Sequence, residues 1–183
     1  MIWIFGDSFS ADPRGWPGLI QSKTLGLRGS SEYRIYRNYL EQRHNILETD
    51  VVIFCHTHQS RVFLKDSDRT LSSRRLESHP WCDLLFNDVF TKNERKFINV
   101  LEQIWDDDYF EYMYSKVVSD CQSVKNSIHI TFFSDMAAKY NFVDFGDFFR
   151  SYRGKINHLT DQGNLEIYKE LQKIIHGDML HVF

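Results

Sequence analysis

The amino terminus limits the possible folds more than any other stretch. Met1-Ile2-Trp3-Ile4-Phe5 is continuously apolar and stops abruptly at Gly6-Asp7-Ser8-Phe9-Ser10. A run this short, closed by turn residues, reads as a strand buried on both faces, and such strands belong to parallel sheets with helices on either side. Val51-Val52-Ile53-Phe54-Cys55 repeats the pattern, bounded by charge before it and by His56-Thr57-His58-Gln59-Ser60 after it. Ile128-His129-Ile130-Thr131-Phe132-Phe133 and Asn141-Phe142-Val143-Asp144 add two more strands.

The intervening segments carry helical spacing. After the first strand, residues 11–18 hold two prolines and two glycines in a loop that overhangs Ser8, and residues 19–23 allow a short helix. Gly26-Leu27-Arg28-Gly29-Ser30-Ser31 is a glycine turn leading into a helix capped by Ser30 or Ser31, with Tyr33, Tyr36, Leu40 and Leu47 on one face. Residues 94–125 suggest two packed helices, Phe97, Leu101 and Ile104 marking the first and Phe110, Tyr114, Val117 and Val118 the second, with Asp106-Asp107-Asp108 between them. A last helix begins near Thr160 and is marked by Leu165, Tyr168, Leu171 and Ile175. Strands alternating with helices predict an α/β fold: a single-domain three-layer α/β/α sandwich around a mostly parallel sheet of four to five strands.

At 183 residues, 42% of them hydrophobic and 15% aromatic, the chain suits one domain with a sizeable core spanning residues 1–183. Residues 59–92 show no clean period and read as a lid or insertion. Twenty-two Lys and Arg against 25 Asp and Glu give a formal charge of -3, which offers no footprint for nucleic acid. The basic residues between 61 and 75 are interrupted by Asp66 and Asp68, as in a solvated loop. Cys55, Cys82 and Cys121 are odd in number and far apart, so neither a disulfide framework nor a cysteine zinc site is expected. With a first apolar run too short for a signal-peptide core or a membrane span, the expectation is a cytoplasmic protein without membrane contact.

The residues that can do chemistry lie at the strand ends. In an open parallel sheet, ligands bind outside the carboxyl ends of the strands, where Gly6-Asp7-Ser8 falls. Far along the chain stands Asn157-His158-Leu159-Thr160-Asp161, just before the last helix. A serine hydroxyl becomes a useful nucleophile when an imidazole takes its proton, and the oxyanion that forms needs fixed donors.

Gly6-Asp7-Ser8 after a buried first strand, Gly29 in a Gly-x-x-Gly-x-Ser context, and His158 before a terminal helix together resemble the SGNH or GDSL hydrolase family. The similarity in order covers essentially the whole chain. It implies a flavodoxin-like sandwich and a serine esterase or acylhydrolase with no cofactor. Ser8 would be the nucleophile and His158 the general base, and the Ser8 and Gly29 N–H groups would hold the oxyanion. The substrate implied is a small-molecule or glycan ester.

The chain also departs from the family pattern. Where the family carries Asn in Gly-x-Asn-Asp, this sequence has Cys55-His56-Thr57-His58, which makes Thr57 the aligned third donor, with His56 and His58 beside it. The family's Asp three residues before its histidine is Lys155 here. Without that carboxylate, Asp144, Asp147, Asn157 or a backbone carbonyl is left to orient His158. Only about ten residues separate Trp16 from Gly26, so the family's second strand is expected to be short or lost. Asp7, His56 and His58 are candidates for substrate contact, as is Trp16 as a substrate wall; the other tryptophans read as core or rim.

Two other functions compete. One is a noncatalytic binding module that keeps the fold. The other is a metal-dependent phosphoesterase, because His56 and His58 alternate at a strand end and would point the same way, as two ligands do. No further ligand pair at metal spacing supports the second, and no metal site is assigned.

Overall fold

The structure, a computed structural model, describes residues 1–59, 61–62, 84–85, 99–100, 103, 106–154 and 159–177. Five strands form one sheet: β1 (Ile2–Gly6), β2 (Lys23–Thr24), β3 (Val51–His56), β6 (Ser127–Thr131) and β7 (Val143–Asp144). Two further short strands, β4 (Arg61–Val62) and β5 (Leu84–Leu85), pair antiparallel in a separate ribbon. The five-stranded sheet has the order β2-β1-β3-β6-β7, and every pairing in it is parallel. This is the doubly wound order whose switch point lies between β1 and β3.

Helices cover both faces. Among the described residues they include α1 (Trp16–Leu19), α2 (Glu32–Gln42), α3 (Asp107–Gln122), α4 (Ser134–Tyr140), α5 (Gly146–Ser151) and α6 (Asp161–Ile175). The period-2 alternation of the strands sorts side chains between the two layers. Trp3, Phe5, Val52 and Phe54 pack with Ile35 of α2 and Cys121 of α3. Ile4, Ile53, Cys55 and Ile130 pack with Trp16 of α1 and with Ile167 and Leu171 of α6. The α/β sandwich expected from the sequence is therefore present, with a sheet wholly parallel.

Local chemistry sets the helix starts. Ser31 caps α2 by accepting from Arg34 N–H, Asp106 caps α3 by accepting from Tyr109 N–H, and Thr160 caps α6 by accepting from Gly163 N–H. The acidic break at residues 106–108 is thus a cap and first turn, where carboxylates meet the positive end of the helix dipole.

Several expectations need correction. The helix expected over residues 19–23 lies earlier, and Lys23–Thr24 form the short second strand. On α2, Tyr33 is exposed and Ile35 with Tyr39 faces the sheet, while Leu47 is exposed beyond the helix. On α6, Ile167 takes the core position and Leu165 is exposed. Helices α4 and α5, absent from the sequence-based scheme, are too short to show a period. Most of the expected lid and of the first helix in 94–125 lies outside the described residues, as do Cys82, Lys155, Asn157 and His158. Cys55 and Cys121 are free and buried. Among the described residues no helix is long and apolar enough to cross a membrane.

Candidate active site

Strand β1 delivers Asp7 and Ser8 to the carboxyl edge of the sheet, next to the switch point. There the chain reverses in a turn closed by Ser10 N–H donating to the Asp7 carbonyl at 3.1 Å, with Ser8 second in the turn. Asp7 stiffens it further, because its Oδ1 accepts from Phe9 N–H at 3.0 Å as an Asx turn. Phe9 is pinned from the α5–α6 side, stacked on Phe132 at 4.3 Å between centroids and edge-on to Phe149 at 5.1 Å. Its carbonyl accepts from the Trp16 indole at 2.8 Å.

The turn has no slack against its neighbours. A β-carbon on Gly26 would stand 2.5 Å from the Ser10 carbonyl oxygen, so only glycine lets the two backbones approach this closely. The segment after β2 continues to pair with β1, Leu27 N–H donating to the Gly6 carbonyl at 3.0 Å. It then turns through Gly29, whose φ of +73° favours glycine. The Arg61 guanidinium joins the two loops: Nη1 donates to the Ser30 carbonyl at 3.3 Å, and Nη2 lies 3.8 Å from Asp7 Oδ2. Ser8 and Gly29 are therefore neighbours of two groups spanned by one side chain.

Ser8 is half-buried and opens into a cleft of about 270 Å³ lined by Phe9, Asp12, Arg14, Gly15, Leu159, Asp161 and Asn164. Among the described residues, the Ser8 hydroxyl, the Ser8 N–H and the Gly29 N–H make no hydrogen bond. Those are the groups a nucleophile and a two-donor oxyanion hole require. Asn164 is held in place, Oδ1 accepting from Trp16 N–H and Nδ2 donating to the Thr160 carbonyl.

Other candidates face elsewhere. Asp7 is fully buried beneath Ser8 and out of reach of a substrate; burial drives its pKa up, opposed by Arg61, the Phe9 N–H and the Thr57 hydroxyl. Thr57 is also fully buried, and its hydroxyl donates to Asp7 Oδ2 at 3.2 Å while its N–H donates to Glu32 Oε2 at 3.1 Å. Both its donors are thus committed inward rather than to an oxyanion. Trp16 is a core residue, wholly buried against Ile4, Ile167 and Leu171, and not a substrate wall. His56 belongs to the α2–α3 layer, stacked on Phe142 at 4.0 Å, whereas His58 lies 3.3 Å from Asp135 and edge-on to Phe133. The strand ends at His56, so the alternation that would align the two rings stops there. No cluster of three or more His, Cys, Asp or Glu able to hold a metal occurs among the described residues. Asp144 accepts from Gly146 N–H, and Asp147 pairs with Arg150 on the surface.

Sequence reasoning missed the buried row behind Thr57. Glu32 Oε1 lies 2.7 Å from His56 Nδ1, and His56 Nε2 lies 2.8 Å from His129 Nδ1. His129 Nε2 lies 2.8 Å from Ser127 Oγ, which itself donates to the Val124 carbonyl. The proton directions follow from the far end. Ser127 Oγ gives its hydrogen to Val124, so it accepts from His129 Nε2–H, which leaves His129 Nδ1 to accept from His56 Nε2–H. Burial, and then the charge on His56, hold the His129 pKa down to about 3, consistent with a neutral ring. The remaining proton lies between His56 Nδ1 and the Glu32 carboxylate. A glutamate just after a serine cap reads as a dipole-facing surface acid, and only its position under the end of β3 makes it a buried one.

Compared with protein-family models and with curated proteins, the sequence matches none.

Proposed function

We propose that the protein is a serine hydrolase of the SGNH type, cleaving a small or carbohydrate-linked acyl ester. The observation that carries this is Ser8 itself: second in a rigid turn at the carboxyl edge of β1, its hydroxyl free of partners among the described residues, open to a polar cleft. Its N–H and that of Gly29 are likewise free of partners among the described residues.

In the mechanism proposed, His158 takes the Ser8 hydroxyl proton as Oγ attacks the acyl carbon. The negative charge moves to the former carbonyl oxygen, held by the Ser8 and Gly29 N–H groups. The carbon–oxygen ester bond then breaks, the leaving alkoxide takes the proton from His158, and an acyl group remains on Ser8. Water, deprotonated by the same histidine, releases the acid. Asp12, Arg14, Asp161 and Asn164 give the cleft a polar wall suited to a hydroxylated leaving group rather than a lipid chain.

One observation favours a second function, a binding module without catalysis. The family's orienting carboxylate is replaced by Lys155, and Asp144 and Asp147 are engaged elsewhere. In a Ser-His-Asp system, disabling that carboxylate costs about 10⁴ in turnover. Intact mass after fluorophosphonate treatment separates the two. Stoichiometric phosphonylation that disappears in Ser8→Ala and His158→Ala supports the hydrolase; an unlabelled native chain supports the binding module.

A further inference from the structure

The row from Asp7 to Ser127 crosses the edge of the sheet and ends at the turn that carries Ser8. We propose that Glu32 is a positioning residue for the nucleophile, holding Ser8 in place through Thr57 and Asp7; this rests on the assignment of Ser8 as nucleophile. Glu32 touches neither Ser8 nor the cleft. It is 3% exposed, accepts from Thr57 N–H with one oxygen and is fixed by His56 with the other. Thr57 is held at three points: its N–H by Glu32, its carbonyl by the Tyr114 hydroxyl at 2.6 Å, and its own hydroxyl by Asp7. Asp7 Oδ2 receives that hydroxyl while Oδ1 fixes Phe9 N–H, so the place of Thr57 sets the place of the turn.

The two ends of the Ser8 turn are thereby held by opposite layers. Phe9 is anchored among Phe132, Phe149 and Trp16, and Asp7 is anchored through Thr57 and Glu32 to α2. The outer part of the row has a different task. His56, stacked on Phe142 and next to Phe54 on the same strand face, and His129 behind it keep the Glu32 carboxylate from rotating toward solvent. A buried carboxylate with two donors has one orientation that satisfies both, which makes Glu32 a fixed reference point and not merely a filled space.

The hydrogen-bond inventory distinguishes positioning from bulk stability. In Glu32→Gln the amide oxygen accepts from Thr57 N–H, and the amide N–H donates to Nδ1 of a His56 ring whose Nε2–H still faces His129, so every bond survives. Glu32→Ala leaves Thr57 N–H and His56 Nδ1 without partners in a buried site. Glu32→Asp keeps the charge but, one methylene shorter, reaches only one of the two.

The test compares native protein with these three variants by two readouts: the rate of fluorophosphonate labelling at Ser8, and hydrogen exchange of the Phe9 amide, which is bonded to Asp7. We expect Glu32→Gln to label within about threefold of native and to keep Phe9 protected. Glu32→Ala and Glu32→Asp should label about tenfold to hundredfold more slowly, as a small misplacement of a reacting group does, with Phe9 exchanging faster. Should Glu32→Ala fail to fold, Glu32→Asp decides alone. Native-like labelling and Phe9 protection in the folded Asp or Ala variant would overturn the proposal, as would Glu32→Gln behaving like Glu32→Ala. If native protein does not label at all, the hydrolase assignment fails; Phe9 exchange then still decides whether Glu32 holds the turn.

Discussion

Replacing Thr57 by valine removes one hydrogen bond and almost nothing else. The side chain is fully buried and nearly isosteric with valine, so no cavity opens, and the Thr57 N–H stays on Glu32. Asp7 Oδ2 loses the donor at 3.2 Å and, among the described residues, keeps only the Arg61 guanidinium at 3.8 Å. Leaving a buried acceptor of this kind unmet costs about 2 kcal/mol, which in a domain of this size lowers Tm by about 4–8 °C at neutral pH. The effect should depend on pH in a definite sense. Burial raises the Asp7 pKa above its ordinary value. Asp7 therefore favours the folded state most below the ordinary carboxylate range, and that contribution is lost as pH rises through its raised pKa. Valine removes a bond that favours the ionised form and raises that pKa further. The stability gap between native and Thr57→Val should therefore be widest at neutral pH and close as Asp7 takes up a proton. Differential scanning calorimetry at a series of pH values measures the gap directly, and carboxylates common to both proteins cancel. A gap that is constant with pH, or a variant as stable as native at pH 7, would refute the buried Thr57–Asp7 bond.

Trp16→Ala should destabilise by about 3–5 kcal/mol in urea, as removal of a buried aromatic does; a loss below about 1 kcal/mol would return Trp16 to the cleft surface. His129, with its pKa depressed to about 3 by burial and by His56, stabilises the fold fully above about 6.5 and less as pH falls, by about 1.4 kcal/mol per unit until its own pKa is reached. Native stability should accordingly drop about 2 kcal/mol more than that of His129→Asn between pH 6.5 and 5, and parallel curves would show that His129 titrates normally. Gly26→Ala forces a β-carbon to within 2.5 Å of the Ser10 backbone, so the turn must move. Its fluorophosphonate labelling should fall at least as far as that of Glu32→Ala, while circular dichroism stays native.

The fold was legible because buried parallel strands leave a plain mark. Residues 2–5 and 51–55 are apolar on both faces, and helix caps such as Ser31 and Thr160 announce themselves chemically. The place of Ser8 at the carboxyl edge of the sheet was legible for a related reason, since it follows such a strand. Trp16 was misplaced because loop position says nothing about which way an indole turns; here it turns inward to reach the Phe9 carbonyl. His56 held a usable clue: alternation along β3 puts it on the side of Val52 and Phe54, toward α2 and α3, and register sets Phe54 opposite His129. Glu32 held none, because its burial depends on how far α2 slides beneath the end of β3, a distance set by packing alone.

The strand order has a consequence for how copies of this protein meet one another. Among the described residues, both outer strands of the sheet, β2 and β7, are two residues long. An outer strand exposes unpaired N–H and carbonyl groups that can recruit a strand from another molecule, and the hazard grows with the length of the exposed ladder. Here the long apolar strands β1, β3 and β6 sit inside, and each flank offers an incoming chain only a brief run to register against. The sheet is thus guarded by the shortness of its borders, leaving the interior strands free to be as apolar as the core demands.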